Sequence, residues 1–463
     1  MFFFKRKFRS QFRSTIRILL ALVMLSSIIA CDQPIIGPEE PARENVEVWW
    51  SEGYYPEETN AIRKFIDEWS EQSNVAVDVQ FYSEKDLTQK AESVMNSDET
   101  LPDIIYGYTL DFSLVPTFAW NGKLVDTSDI IDPVQDLFMP EALESVNYRN
   151  DVEDRRSFYA VPIAQNTIYI HYWRSLLEEV GFSEEDIPEN WEGFWEFWLE
   201  VQSALREEGQ EVYALGLPMS TAATDTHYTI EQILQGYDIQ IVDENGELTF
   251  NDSDLEKLTE ILSQIKDFYE NDYIPSNVTN WTDPDNNISF LSRETLMTPN
   301  PTLSIPGSQR QNPSTYKEEM GTIEWPNKVN GEPMEYITSI KQLILPEGAP
   351  QTEKAQDLVS YLIQPEHLAE FNEGSQGRFY PVMETILERP FWNDPEDPHV
   401  YKTHQYFERT RPSYTVFNPA YAEVEARGVW GNALSRMVEE DVSPRDSAEK
   451  AREEIEQIFE EWE

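Results

Sequence analysis

The chain holds few arrangements of residues that could run a reaction. Its five histidines are His171, His227, His367, His399 and His404. Only His399 and His404 are close in sequence, and their spacing fits neither an i,i+4 pair nor the paired ligands of a zinc finger. No metal site is expected from that spacing. There is no G-x-x-x-x-G-K, G-x-G-x-x-G, H-E-x-x-H or G-x-S-x-G motif, so no cofactor is expected either. Two carboxylates could in principle drive glycoside hydrolysis. With 86 Asp and Glu in the chain, however, closeness of two in sequence carries no information. The groups with chemical promise are aromatic: Trp49 and Trp50, and Tyr106 and Tyr108. Exposed flat rings suit flat apolar ligand faces, including the C–H faces of sugar rings. Each of the four rings could equally be packed in a core.

What places these rings is a run of alternating elements. Val46–Trp50 reads as a strand. Ile62, Phe65, Ile66 and Trp69 then recur at helical spacing, and Val75, Val77, Val79 and Phe81 alternate as a strand does. Lys85–Asn96 reads as a second helix, and Asp103–Tyr106, after Pro102, as a third strand. This βαβαβ pattern predicts a parallel sheet. In the strand order 2-1-3, the crevice opens at the C-terminal ends of strands one and three, where Trp49, Trp50, Tyr106 and Tyr108 stand. Further along, Tyr159–Ile163 leads into a strand over Thr167–Tyr172. Helices are expected at Trp191–Glu207, Asp254–Tyr269 and Thr352–Ile363, with a strand at Ile340–Leu345. The last helix has Ser443 as N-cap and Pro444 at N1. Its apolar stripe is Ala448, Ala451, Ile455, Ile458, Phe459 and Trp462.

The 463 residues carry 35 Lys and Arg against 86 Asp and Glu, a formal net charge of -51. Such a chain is repelled by phosphate backbones and by anionic lipid, which argues against nucleic-acid partners and basic-patch membrane binding. A content of 13 Trp, 22 Tyr and 23 Phe argues for a folded core despite the charge. The single cysteine excludes a disulfide framework. Residues 1–30 are of different composition: basic up to Arg17, then uncharged from Ile18 to Ala30, directly before Cys31. That is the pattern of a secretory signal, and the apolar run is short for a bilayer span. Ile28-Ile29-Ala30-Cys31 also resembles the lipobox of bacterial lipoproteins, in which the Cys receives a lipid. The competing reading is an uncleaved anchor with an incidental Cys. Residues 31–45, rich in Pro and Glu, read as a flexible tether.

Several stretches, in order, resemble the extracytoplasmic solute-binding lipoproteins of ABC importers, in the group of the maltose-binding proteins. Leu101-Pro102-Asp103-Ile104-Ile105 resembles the group's P-D-[IV] strand. Tyr159-Ala160-Val161-Pro162 resembles its hinge, and Glu189–Phe194 a characteristic helix start. Phe290–Asn300 is similar to its F-x-x-G-x-x-A-M-x-x-[GN] segment, and Ala433–Ile455 to its closing helices. The resemblance covers residues 46–463. It implies an α/β, two-lobed periplasmic-binding-protein fold, each lobe a parallel-rich sheet flanked by helices, with a hinge between them. One lobe is expected near 46–160 with 333–373, the other near 165–326 with 380–463. Some positions depart from the group. Leu303 stands near the usual sugar-stacking Trp, Arg293-Glu294 replaces a Gly-Lys, and Ile337-Thr338-Ser339 lacks a Gly pair.

The resemblance implies a monomeric, lipid-anchored, non-enzymatic protein outside the cytoplasm. It would hold a saccharide and deliver it to ABC permease subunits. The implied ligand residues are Trp50 and Tyr54 after the first strand, Tyr106, Tyr108 and Asp111 around the third, Asn166 after the hinge proline, and Asn300. Trp281 could replace the missing stacker, and Arg378 falls near a third hinge crossing. Two other functions compete: an exported glycan-active enzyme, and a binding protein serving as a sensor partner. Polyamine, peptide or phosphate ester are alternative solutes.

Overall fold

Val46 and Val48 are fully buried and their strand, β1 (Val46–Ser51), is almost wholly inside. A strand covered on both faces belongs in the middle of a parallel sheet. It lies there: β2 (Val77–Tyr82) and β3 (Ile104–Tyr106) flank it, both parallel. The 2-1-3 order read from sequence is therefore present. A computed structural model describes residues 44–462. The expected signal segment, Cys31 and nearly all of the tether lie outside the described residues.

The connecting helices form where their end signals say. Helix Pro56–Ser73 begins on a proline with Glu57 and Glu58 in its first turn, and stops at Asn74 in left-handed geometry (φ 56°). Its Ile62, Phe65, Ile66 and Trp69 are buried. Helix Glu84–Met95 starts at Ser83, whose side chain accepts from the Asp86 N–H. Buried Asp103, from the P-D-I motif, accepts from the Glu47 N–H at 2.8 Å and the Gln351 N–H at 2.9 Å. It thus clamps the start of β1 to a distant loop.

Further strands complete this sheet. β4 (Asn147–Asn150) and β5 (Arg155–Phe158) form a separate hairpin. β6 (Val161–Asn166) pairs antiparallel with β11 (Tyr336–Ile344), which also pairs antiparallel with β3. The strand expected at Ile340–Leu345 thus starts earlier, at Tyr336. β12 (Thr410–Pro412) joins the N-terminal end of β11.

After Asn166 the chain crosses into a second sheet. Its order is β10 (Met320–Ile323), β7 (Tyr169–Trp173), β9 (Thr295–Asn300), β8 (Tyr213–Leu215). This sheet is mixed rather than parallel-rich: β7 is antiparallel to both neighbours, and only β8 and β9 run parallel. Arg293, just before β9, has φ 62°, the backbone state that favours glycine. The glycine expected there by resemblance fits that geometry. Arg293 instead holds its place through Glu319 at 2.6 Å and the Trp173 ring at 4.1 Å.

The crossings between the sheets lie together. Thr167 Oγ1 donates to the Ile337 carbonyl at 2.9 Å. Gln165 and Tyr380 exchange both backbone hydrogen bonds. At the C-terminus, helix Pro444–Trp462 is capped by Ser443, which accepts from the Asp446 N–H at 3.1 Å. Its stripe is buried except for half-exposed Trp462. No helix among the described residues is long and apolar enough to cross a membrane.

Candidate functional site

Between the two sheets lies a cleft of about 210 Å³. One wall comes from loops after β1 and β3, from β11 and from the third crossing. It presents Tyr54, Tyr108, Phe112, Lys341, Arg378 and Phe379. Glu84 positions its centre, accepting from the N–H groups of Tyr108 at 3.1 Å and Thr109 at 2.7 Å. The opposite wall is more polar: Asp225 and Tyr228 from helix Thr224–Gly236, Asp283 and Asn287 near helix Asp285–Leu291, and Asn300 at the end of β9. The walls touch. Tyr55 O–H donates to the Ser304 carbonyl at 3.2 Å, and the Phe112 and Tyr228 rings meet edge to face at 5.8 Å.

Five of the sequence-predicted residues line this cleft: Tyr54, Tyr108, Asn166, Asn300 and Arg378. Tyr54 stands at the mouth, 53% exposed. Arg378 is buried against the rings of Phe379, Tyr108 and Tyr54, at 4.4, 4.7 and 5.3 Å. Its nearest carboxylate is Glu58, at 3.9 Å, too long for a hydrogen bond, and its Nη1 has no hydrogen-bond partner among the described residues. Asn166 donates to the Pro301 carbonyl at 2.7 Å, while its Oδ1 is also without a partner. Asn300 is more heavily committed, donating to Asn287 Oδ1 at 2.7 Å and Asp225 Oδ2 at 3.2 Å.

Four residues do not line it. Trp50 and Tyr106 are paired across β1 and β3 and point to one face of the sheet. Their rings lie 4.4 Å apart, tilted by 33°, and are roofed edge-on by Phe371 of helix Pro365–Gly374. The strand-end position that suggested a crevice is covered from above by that helix. Trp281 is 4% exposed. Its loop is fastened on the C-terminal side by Thr282 to Asp285, and by Asp283, which accepts from Thr224 N–H at 2.6 Å. The ring is turned into the core, and it is Asp283 and Pro284 that reach the cleft. Asp111 lies one layer behind, bonded to Ser339 and 3.5 Å from Lys341. Trp49 is likewise buried, donating to Glu47 at 2.7 Å.

Burial tunes the acids. Glu58, shut away from water, is pushed up to about 7 despite Arg378. Asp225 is held well above the usual carboxylate range by burial, with Asp283 adding to it. Burial raises Asp111 and lowers Lys341, each partly offset by the other. The sequence reading missed Asp225, Tyr228, Lys341 and Glu58. No local motif marks them, since each gains its role from a partner far along the chain.

The fold has solved counterparts. An ABC transporter solute-binding protein from Thermotoga lettingae TMO, solved with bound alpha-D-tagatose, has a TM-score of 0.71 at 16% identity, over 90% of this chain and 100% of its own. Maltose-bound MalE3 of T. maritima gives 0.70 at 18%, over 89% and 100%. A sugar transporter from Arthrobacter chlorophenolicus A6, with bound laminaribiose, gives 0.71 at 15%, over 89% and 99%. In sequence, YcjN of Escherichia coli (strain K12) is 20% identical over 378 residues, 81% of each chain. Two sheets, a crossed hinge and a cleft between them agree with a match of residues 64–400 to one family, and the chain belongs to it: the bacterial extracellular solute-binding proteins.

Proposed function

We propose that this protein captures a sugar or oligosaccharide in the cleft and hands it, unchanged, to the permease of an ABC importer. The carrying observation is the pairing of aromatic walls with one unpaired acceptor, Asn166 Oδ1, and one unpaired donor, Arg378 Nη1. Rings cover the C–H faces of a sugar, and the Asn166 amide and Arg378 guanidinium, whose side chains line the cleft, are the polar groups that would meet its hydroxyl groups. The lining carries two carboxylates, Asp225 and Asp283, and two cations, Lys341 and Arg378. With burial favouring the neutral form of Asp225, the lining carries no negative excess to draw a polyamine. The sugars bound in the structural neighbours support the same class.

The solute would lie between a lobe of 46–160 with 333–373 and a lobe of 165–326 with 380–463. The grouping of β1 to β3, β6 and β11 in one sheet and β7 to β10 in the other supports that division. β12, from the second range, pairs with β11 at the hinge itself. A monomer anchored through lipid on Cys31, outside the cytoplasm, is the arrangement that the sequence before residue 46 favours. Hydrolysis is the competing reading. It is weakened because Asp283 is spent on capping Thr224 and Asp225 on Asn286 at 2.6 Å.

The test is thermal unfolding of the purified protein against mono- and oligosaccharides, with polyamines and peptides as controls. A ligand at 100 times its Kd adds about 2.7 kcal/mol of stability. A shift confined to one saccharide class, with the sugar recovered intact, is the expected result. Shifts with cations or peptides alone, or release of product, would overturn it.

A further inference from the structure

We propose that His227, Glu231 and Glu425 form a binding site for a divalent metal ion of the zinc class inside the polar wall of the cleft. Three ligand atoms, one from each side chain, lie within 4.8 Å of one another. His227 Nε2 is 2.9 Å from Glu425 Oε1 and 3.2 Å from Glu231 Oε1. Bonds of about 2.0–2.2 Å to a tetrahedral zinc place its ligands roughly 3.3 Å apart. Both distances are already close to that edge.

Their surroundings are those of a built site. The side chains are 15%, 2% and 6% exposed for His227, Glu231 and Glu425. Close as they are, His227 Nε2 and Glu231 Oε1 make no well-directed hydrogen bond among the described residues, nor does Glu425 Oε2. His227 Nε2 faces both carboxylates as ion pairs, while buried Glu425 Oε2 has no hydrogen-bond partner among the described residues; buried polar atoms are normally satisfied, and an ion bound here would engage it. Charge points the same way. If both carboxylates are ionised, they outweigh one protonated imidazole by a single charge. A divalent ion with a neutral imidazole brings the sum to zero. Arg411 acts on Glu231 from outside the cluster, but it is bonded to Gln235 at 3.1 Å and lies over the Tyr414 ring. It forms no ion pair with the three among the described residues.

The ligands stand on rigid supports. His227 and Glu231 are one turn apart on helix Thr224–Gly236, and Glu425 comes from helix Ala420–Ala426. A cavity of about 240 Å³ opens beside them, lined by His227, Glu425, Thr221 and Thr226. It gives the ion an entry path and room for water to complete its coordination. One nitrogen and two carboxylates suit zinc, whereas calcium takes six to eight oxygens. The expectation of no metal site rested on histidine spacing. The single local cue was a His and a Glu four residues apart, and the third ligand is remote in sequence.

Such an ion would not touch the solute. Phe112, Thr224 and Tyr228 line both cavities, and Asp225 lies on the same helix as His227. The metal would therefore fix the helix that presents Asp225 and Tyr228 to the cleft. This holds whatever the solute is.

The experiment strips the purified full chain with a chelator, then titrates it with Zn²⁺ by calorimetry and with Co²⁺ by visible absorption. One tight equivalent per chain is expected, with the intense d–d bands of four-coordinate cobalt. His227→Gln and Glu425→Gln should each weaken uptake by about 100-fold or more, while His404→Gln leaves it unchanged. No uptake by the wild type, weak six-coordinate cobalt bands, or uptake indifferent to both substitutions would overturn the proposal. The wild-type cobalt spectrum decides the matter even if a variant fails to fold.

Discussion

Arg378 carries its charge into a wall nearly closed to water, and Glu58 faces it without a hydrogen bond between them. The burial that raises Glu58 to about 7, from 4.5 when free, makes stability depend on pH. A carboxyl whose folded value is raised binds its proton more tightly in the folded protein. Its contribution is therefore present below pH 4.5 and is lost as pH rises through 7. The shift is worth about 3 kcal/mol. Glu58→Gln should accordingly gain about that much over the wild type between pH 4.5 and pH 7.5, read by denaturant unfolding at each pH. A difference that stays flat with pH would contradict the assignment. Asn166 supports a separate expectation. Asn166→Ala removes the unpaired Oδ1 and should weaken saccharide binding about 10-fold, the worth of one well-placed hydrogen bond. Calorimetry checks this, with the unfolding midpoint measured alongside. Equal affinity would take Asn166 out of the site.

Gly321 on β10 stands directly opposite Tyr172 on β7, and the tyrosine ring lies across it. An added Cβ would sit 2.1 Å from that ring. Tyr172 cannot swing freely, because its hydroxyl donates to Glu184 at 2.5 Å. Gly321→Ala should cost about 1–3 kcal/mol by overpacking, measured by chemical denaturation. A neutral result would mean that the β7–β10 edge yields easily. Local signals made much of this level legible. The βαβαβ start, helix Trp191–Glu207 and the Ser443 cap stand where periodicity and capping chemistry put them. Each depends on residues within one turn or one strand. Trp50 and Tyr106 were misplaced for the opposite reason. Their roof, helix Pro365–Gly374, comes from the far part of the chain, and no window around Trp50 contains it. The same distance hid the cluster of His227, Glu231 and Glu425.

At the scale of the molecule, the net charge of -51 does not describe the cleft, whose lining balances two acids against two bases. The acidity belongs to the outer surface, where it favours solubility and keeps copies apart. The walls are joined by chain crossings at the hinge and meet through Tyr55 and Ser304, and through Phe112 and Tyr228. A solute held there would touch both walls at once, so it would favour the arrangement in which the walls are together. The sequence made the two-lobed plan legible through the order of its motifs. It could not say which side chains meet across the gap, because the gap is formed by segments hundreds of residues apart. The most direct measurement is the crystal structure of the protein grown with the saccharide that gives the largest thermal shift. The expected result is one intact sugar against Tyr108 and Arg378 on one wall and Asp225 and Asn300 on the other. A sugar bound elsewhere, a cleaved sugar, or a cleft without sugar at saturating concentration would contradict it.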